Sequence, residues 1–215
     1  RESLGYLMEI IRLAYKEMPE KYRPKLGDDS KTSLSFPELN SKIFVSLSIR
    51  STQVHNLHIS EWSFCNDDEV RASLAAAGPN SVITGETTGN GVGNDGYITY
   101  QEAKLGLNGY KHIFFPWFIH HEYKIPMNGI QSLNYSNEEI ELRKQYNLND
   151  EQILFRRSKK RELKDLFNQE FPEDDVSAFL TSGHKFFNHK KIMVLLKESR
   201  EFKEVLKTEE MTIFE

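Results

Sequence analysis

The stretch Leu57-His58-Ile59-Ser60-Glu61 is an apolar run that ends in an acidic residue. Such a run is typical of a buried strand, and the acid at its end then lies at the edge of a sheet. A carboxylate fixed at that edge can orient a water molecule for attack on the γ-phosphate of a nucleotide. The stretch therefore makes Glu61 a candidate catalytic residue, although an acid at the end of a strand is also commonly a structural surface residue.

A glycine-rich segment follows a second apolar run and reads Thr87-Thr88-Gly89-Asn90-Gly91. In α/β proteins, ligands bind at the carboxyl edge of the sheet, where a loop after such a run would lie. The side chains of Thr87, Thr88 and Asn90 are then candidates to sense the γ-phosphate. A flexible surface loop is the alternative reading of these glycines, and it stays open. Together the two stretches indicate an NTPase core.

The apolar runs at 57–59 and 82–84 are short and bounded by polar turns. Such runs are typical of parallel strands joined by a crossover connection. We therefore predict that they are neighbouring parallel strands and that Glu61 and Thr87 emerge at the same edge of the sheet.

Around these runs, strand and helix patterns alternate, which favours an α/β fold with a parallel sheet. One helix is predicted from Leu4 to Tyr15, a second after the cap Asn66 as far as Gly78, and a third over 97–107. Further strands are predicted at 34–36, 43–47 and 112–115.

After Pro126 the composition shifts to charged helix. Ser136 with Glu139, and Asn149 with Gln152, have the spacing of capping boxes that begin two helices. Pro172 ends the second of these, and shorter helices are predicted over 174–180 and 189–206. The predicted organisation is thus an α/β domain over 1–126 and an α-helical extension over 127–215.

Three motifs in this order carry a resemblance to a known family: LHISEWSF from residue 57, VITGETTGNGVGNDGYITYQEAKLG from residue 82 and YKHIFFPWFIHHEY from residue 110. They resemble the second half of the ATPase domain of phage terminase large subunits, the motors that package viral DNA. The resemblance extends downstream to the segment that joins the ATPase and nuclease domains in this family. It is carried there by FNQEFP from residue 167, then by Ala178, Phe179, Ser182, Gly183 and Phe187.

The resemblance implies a partial P-loop NTPase sheet of the RecA-like kind, followed by a helical linker that precedes the nuclease domain. It assigns the Walker B strand and catalytic glutamate to 57–61, and the coupling motif ETTGNG to 86–91. Within that motif the candidates for nucleotide sensing and coupling are Thr87, Thr88, Gly89, Asn90 and Gly91. Asp usually precedes the glutamate and holds Mg²⁺ through water, whereas this chain has Ser60, a neutral candidate for an Mg²⁺-associated residue.

In the intact family, ATP and Mg²⁺ drive translocation of duplex DNA into a procapsid, with the portal protein and a small terminase subunit as partners. The sequence has no G-x-x-x-x-G-K-[ST] phosphate loop, and the nuclease domain would begin where the chain stops. We therefore expect a fragment from a virus or prophage, beginning at Arg1 without Met, that is inactive alone and holds no tightly bound cofactor. The alternative is a non-catalytic remnant or protein-interaction module.

Two further sets of residues are candidates for contacts with phosphate. Arg50 precedes the Walker B-like strand and is a candidate to neutralise a nucleotide phosphate, although most such arginines are solvated or paired. The basic run at 156–161 is the candidate DNA contact, through Arg156, Arg157, Lys159, Lys160 and Arg161. Its alternative is the solvated face of an amphipathic helix.

Composition narrows the class of protein only modestly. The formal net charge of −4 and the pI near 6.0 give no overall attraction to nucleic acid, so DNA binding requires a local patch. The single Cys65 excludes an internal disulfide framework and favours an intracellular protein. The resemblance implies that its place is the cytoplasm of a host cell. No membrane segment is predicted. No metal site is expected at His112, His120 and His121, since adjacent histidines rarely face the same ion.

Overall fold

The structure is a computed structural model that describes residues 2–180, 204–207 and 212–214. It divides into two compact units, Arg1–Glu86 and Thr87–Glu215. Helices and strands are mixed, so the fold is mixed α/β, and the described strands form one parallel pair and two antiparallel sheets. The predicted parallel sheet is therefore confirmed for that pair alone. Among the described residues, no helix has both the length and the apolar character needed to cross a membrane.

The first unit begins with helix α1, Glu2–Glu17, and a three-stranded antiparallel sheet of β1 (Asp29–Ser30), β2 (Ser33–Phe36) and β3 (Ser41–Phe44). Met8 on α1 is fully buried against Leu34 and Phe36 on β2, and these three side chains form the core. The helical spacing of the apolar residues in α1 and the strand at 34–36 are therefore confirmed. The strand predicted at 43–47 lies earlier, because β3 ends at Phe44.

The first unit also contains the parallel pair that the sequence predicts. Strand β4 spans Val54–Ile59, helix α2 spans Asp67–Ala76, and strand β5 spans Ala77–Gly85. Leu57 pairs with Ile83, and Ile59 pairs with Gly85. The side chain of Asn66 caps α2 by accepting hydrogen bonds from the backbone N–H groups of Asp68 and Glu69, as the sequence predicts.

The second unit is mainly helical, with α3 (Asp95–Lys104), α4 (Asn137–Tyr146), α5 (Asp150–Leu163), α6 (Phe167–Glu170) and α7 (Asp175–Leu180). Both predicted capping boxes are present, at Ser136 with Glu139 and at Asn149 with Gln152. Its core joins Trp117 to residues after position 126, among them Ile153, Phe155 and Phe167. The compact unit therefore extends across Pro126, where the sequence predicts a domain boundary.

Three further predicted elements differ in the structure. The helix predicted to end at Pro172 ends at Leu163, because the next residue, Lys164, has a positive φ of 51°, and α6 is a separate short helix. Residues 112–115 form no strand. The hydrogen bonds on either side of them run from the backbone of Tyr110 to the Asn108 side chain and from the backbone of Trp117 to Pro172. The helix predicted over 189–206 is wrong at its end, because β6 (Glu204–Lys207) pairs antiparallel with β7 (Thr212–Phe214). The rest of that helix, like Ser182, Gly183 and Phe187, lies outside the described residues.

Candidate functional site

The carboxyl ends of β4 and β5 are joined by backbone hydrogen bonds beyond the last paired residues. The N–H of Glu86 donates to the carbonyl of Ile59 at 3.0 Å, and the N–H of Trp62 donates to the carbonyl of Glu86 at 3.0 Å. The chain therefore leaves both strands at one edge, with Glu61 on one side and Glu86, the residue before Thr87, on the other. This is the arrangement that the sequence predicts for these two strands.

Glu61 has a left-handed backbone, with φ of 53° and ψ of 47°. It opens a short 3₁₀ turn over Trp62–Phe64, in which the N–H of Phe64 donates to the carbonyl of Glu61 at 2.8 Å. This conformation costs an L-residue about 1–2 kcal/mol, and such strained residues cluster at functional sites. The side chain of Glu61 is exposed at the strand end. The turn thus presents a carboxylate outward, although Glu61 shares its positive φ with other non-glycine residues, such as Asn40 and Asn147.

The turn is fixed from beneath by the indole ring of Trp62, which is 5% exposed. The ring lies against Gly85, where an added Cβ would come within 2.6 Å of its Cζ3 atom. Only glycine permits this approach, because even a methyl group would displace the ring or the strand. Trp62 and Gly85 therefore position Glu61, and sequence reasoning missed both of them. The available signal was a glycine at the end of an apolar run that is followed by an acid.

The surroundings of Glu61 are acidic. Burial raises the pKa of the Cys65 thiol, and three nearby carboxylates raise it further, those of Glu69, Glu61 and Glu86. The thiol donates to the carbonyl of Ser60 at 3.4 Å. Ser60 is half-buried, and Nε2 of His58 lies 3.4 Å from a carboxylate oxygen of Glu86. The edge therefore suits a cation or the partial positive charge of a bound water.

A change at Glu61 tests the strain. Glu61→Gly is expected to be more stable than Glu61→Ala by about 1 kcal/mol, since glycine adopts the left-handed conformation without a Cβ penalty. Urea unfolding followed by Trp62 fluorescence in a Trp117→Phe background measures the difference. The matched control is the same pair of substitutions at Glu86, an exposed glutamate outside the left-handed region. There the Ala variant should be at least as stable as the Gly variant. The same order of stability at both positions would show that Glu61 carries no strain.

The segment 87–91 opens the second unit and is held in shape by Asn94. The Nδ2 amide of Asn94 donates to the carbonyls of Asn90 at 3.1 Å and Gly91 at 3.4 Å. Its Oδ1 atom caps α3 by accepting from the N–H of Tyr97 at 2.9 Å. The Oγ1 hydroxyl of Thr87 donates to the carbonyl of Thr88 at 2.7 Å. Asn94 was not among the predicted site residues, although an N-cap at the start of α3 was a readable signal.

The remaining candidate for phosphate binding is Arg50, which is exposed in the connection between β3 and β4. That connection is tied to α2, because the N–H of Ile49 donates to Oγ of Ser73 at 3.0 Å. Arg50 thus lies in the same unit as Glu61, and its role stays a prediction. Within the described residues, no three His, Cys, Asp or Glu side chains are grouped as metal ligands.

The basic run on α5 is largely paired with carboxylates of its own unit. Arg156 is buried, with Nε 2.5 Å from Glu173 and Nη2 2.5 Å from Glu138. Arg157 binds Glu139 at 2.7 Å, and its hydrogen bonds contribute most to holding the pKa of Glu139 at about 2. A DNA phosphate could reach either arginine only by displacing these carboxylates.

The lysines of the run are more accessible. Lys159 is 2.7 Å from Glu162, and Lys160 is 3.0 Å from Glu138, both with substantially exposed side chains. Arg161 is exposed on the same helix. Surface pairs of this kind contribute little and exchange readily with other anions. The candidate DNA contact therefore narrows to Lys159, Lys160 and Arg161.

The sequence matches no protein-family model and no curated protein.

Proposed function

We propose that the chain belongs to the large subunit of a phage terminase and carries the water-activating half of a P-loop ATPase site. The observation that supports this most is the parallel pairing of β4 and β5, which brings Glu61 and Glu86 out at one carboxyl edge. P-loop ATPases need a fixed carboxylate at that edge to orient water. The exposed carboxylate of Glu61 on its left-handed turn at this edge supports the same proposal.

In this proposal Glu61 orients the attacking water, and the side chains of Thr87, Thr88 and Asn90 sense the γ-phosphate. Mg²⁺ is usually bound by one or two carboxylates together with substrate phosphates, so the neutral hydroxyl of Ser60 beside Glu61 would be a weaker ligand for the ion. When bound, the ion neutralises charge on the phosphates. The chain's own contribution is to fix the carboxylate through the packing of Trp62 on Gly85. The phosphate-binding loop is supplied by another segment.

The complete protein would use ATP hydrolysis to move duplex DNA into a procapsid in the cytoplasm of the host, together with a portal protein and a small terminase subunit. The decisive experiment is to sequence the coding DNA upstream of the Arg1 codon. A reading frame that continues upstream and encodes a phosphate loop with its lysine supports the proposal. A start codon directly at this boundary contradicts the motor and favours the alternative, a remnant or interaction module.

Contact with DNA has its own test in the salt dependence of binding. If Lys159 and Lys160 bind phosphates, the chain should bind duplex DNA weakly and without sequence preference, and each contact releases counterions. Replacing both by Gln should then flatten the plot of log affinity against log salt concentration by roughly one unit per lost contact. Fluorescence anisotropy with a labelled duplex measures the slope.

The matched control replaces Lys25 and Lys31 by Gln, which removes the same charge from exposed positions in the first unit. That variant should keep the parent's slope. If the α5 variant and the parent bind equally at low salt, the lysines form only a solvated helix face.

A further inference from the structure

The glycine-rich segment 87–91 and helix α3 form one connected piece through Asn94. Its side chain holds two carbonyls of the segment with Nδ2 and the first turn of α3 with Oδ1. The Asn94 amide therefore bonds the segment on one side and caps the helix on the other. A displacement of Asn90 or Gly91 is therefore transmitted to the start of α3.

Helix α7 touches the same segment backbone to backbone. Gly89 is buried, and an added Cβ would overlap the carbonyl group of Ala178 and lie 3.2 Å from the N–H nitrogen of Phe179. Ala178 and Phe179 are themselves buried. Since no flexible side chain separates the two backbones, a shift of Gly89 cannot be absorbed by a rotamer change.

The position of α7 depends on contacts with α3. Asp175 at the start of α7 accepts hydrogen bonds from the hydroxyl of Tyr100 at 3.0 Å and from Nζ of Lys104 at 2.6 Å. The ring of Phe179 lies 5.2 Å from that of Tyr97 and 5.6 Å from that of Tyr100. A helix of six residues is not stable by itself, so these contacts hold it in place.

The contact of Asp175 with Tyr100 and Lys104 favours the charged form of the carboxyl group. Burial by itself raises the pKa of Asp175, but the hydrogen bonds from Lys104 and Tyr100 outweigh it and hold that pKa below its ordinary value. Burial, followed by the hydrogen bond to Asp175, raises the pKa of Tyr100. Near neutral pH the contact is thus a carboxylate between a phenol and an ammonium group, and charge-assisted bonds of this kind are the stronger ones.

We propose that α7 is the element through which the 87–91 segment transmits its state, and that Asp175 is the positioning residue that holds α7 against Gly89. This inference rests on the proposed function, in which the segment senses the γ-phosphate. Asp175 contacts no reacting atom in this scheme. It acts through α3 and α7, which clamp the segment between a cap at Asn94 and the backbone of Ala178.

Hydrogen exchange on the 215-residue chain tests the clamp without any nucleotide. Asp175→Asn keeps the shape but removes the charge, and the loss of charge-assisted hydrogen bonds should speed exchange in α7 and in residues 88–91 by about tenfold or more. Gly89→Ala should speed exchange in the same two peptides. The matched control is Val176→Ala, an exposed position on the same helix, which should leave residues 88–91 at the parent rate.

Parent-like exchange of residues 88–91 in Asp175→Asn would overturn the clamp. The second measurement uses the complete ATP-hydrolysing protein, in which Asp175→Asn should keep the KM for ATP and lower the length of DNA moved for each ATP hydrolysed. If Asp175→Asn moves the same length of DNA for each ATP hydrolysed as the parent, the role of α7 is overturned. The proposed function still stands in that case, because the parent hydrolyses ATP. A parent without hydrolysis would overturn the proposed function, and the relay with it, whatever the exchange result.

Discussion

Arg156→Ala is expected to lower the free energy of unfolding of the second unit by about 3–5 kcal/mol. The guanidinium is only 3% exposed and lies between the carboxylates of Glu138 and Glu173. Its central atom is also 5.9 Å from the centre of the buried Phe167 ring. Removing it leaves Glu173, which is itself mostly buried, without its partner. An unpaired buried charge costs more than the pair contributes, and this makes the effect large.

Urea unfolding followed by the fluorescence of Trp117 measures this loss in a Trp62→Phe background, since Trp117 lies in the core of the second unit. The matched control is Arg161→Ala, an exposed arginine on the same helix, which should change stability by no more than about 0.5 kcal/mol. The loss of stability in Arg156→Lys should lie between those of Arg156→Ala and Arg161→Ala, because an ammonium cannot form the paired hydrogen bonds of a guanidinium. A loss below about 1 kcal/mol for Arg156→Ala would contradict the buried ion pair.

The strand pairing of the first unit was predictable because its pattern has few alternatives. The apolar runs at 57–59 and 82–84 are too short for helices and are separated by a helix with a clear cap at Asn66. A right-handed crossover between them then leads to parallel neighbours. The caps at Ser136 and Asn149 were predictable for the same reason, since a short-range spacing determines each of them.

Elements that depend on distant partners were not predictable. Residues 112–115 have strong strand propensity, but a strand exists only where another backbone pairs with it, and they are in no strand of the structure. Residues 204–206 continue a helical pattern, yet they pair with β7 instead. In both places tertiary contacts override local preference.

The candidate site shows the same limit. The sequence identifies Glu61 but cannot reveal its left-handed backbone or the packing of Trp62 on Gly85, which arise when two strand ends meet. From the sequence alone, residues 156–161 are likewise interpreted as one basic face of a helix. One face of an amphipathic helix packs on the core and the other faces the solvent, so Arg156 is buried while Lys160 and Arg161 are not.

Glu61→Gln is expected to abolish ATP hydrolysis while leaving ATP binding intact, in the complete protein that carries the phosphate loop. The amide keeps the size of the side chain but loses the negative charge that orients the water, and positioned acid–base groups contribute about 10²- to 10⁴-fold to rate. The fold should not change, because the side chain is exposed and the left-handed backbone is the same for Gln. The effect should therefore appear in kcat and not in affinity.

The matched control is Glu86→Gln. Glu86 follows β5 directly, is exposed at the same sheet edge and contacts His58. Its replacement by Gln therefore removes the same negative charge from the same edge. This variant should hydrolyse ATP at about the parent rate. Equal losses in the two variants would assign the effect to the general acidity of the edge and not to Glu61.

The most direct test of an ATPase site built on the β4–β5 edge is single-turnover hydrolysis of γ-labelled ATP by the complete protein, as the parent, and by its Glu61→Gln and Glu86→Gln variants. The nucleotide affinity of each is measured as well. The expected result is hydrolysis by the parent and by Glu86→Gln, with Glu61→Gln binding ATP normally and releasing phosphate about 10²-fold or more slowly. A parent-like rate constant in Glu61→Gln would contradict the proposed site and return Glu61 to a structural role.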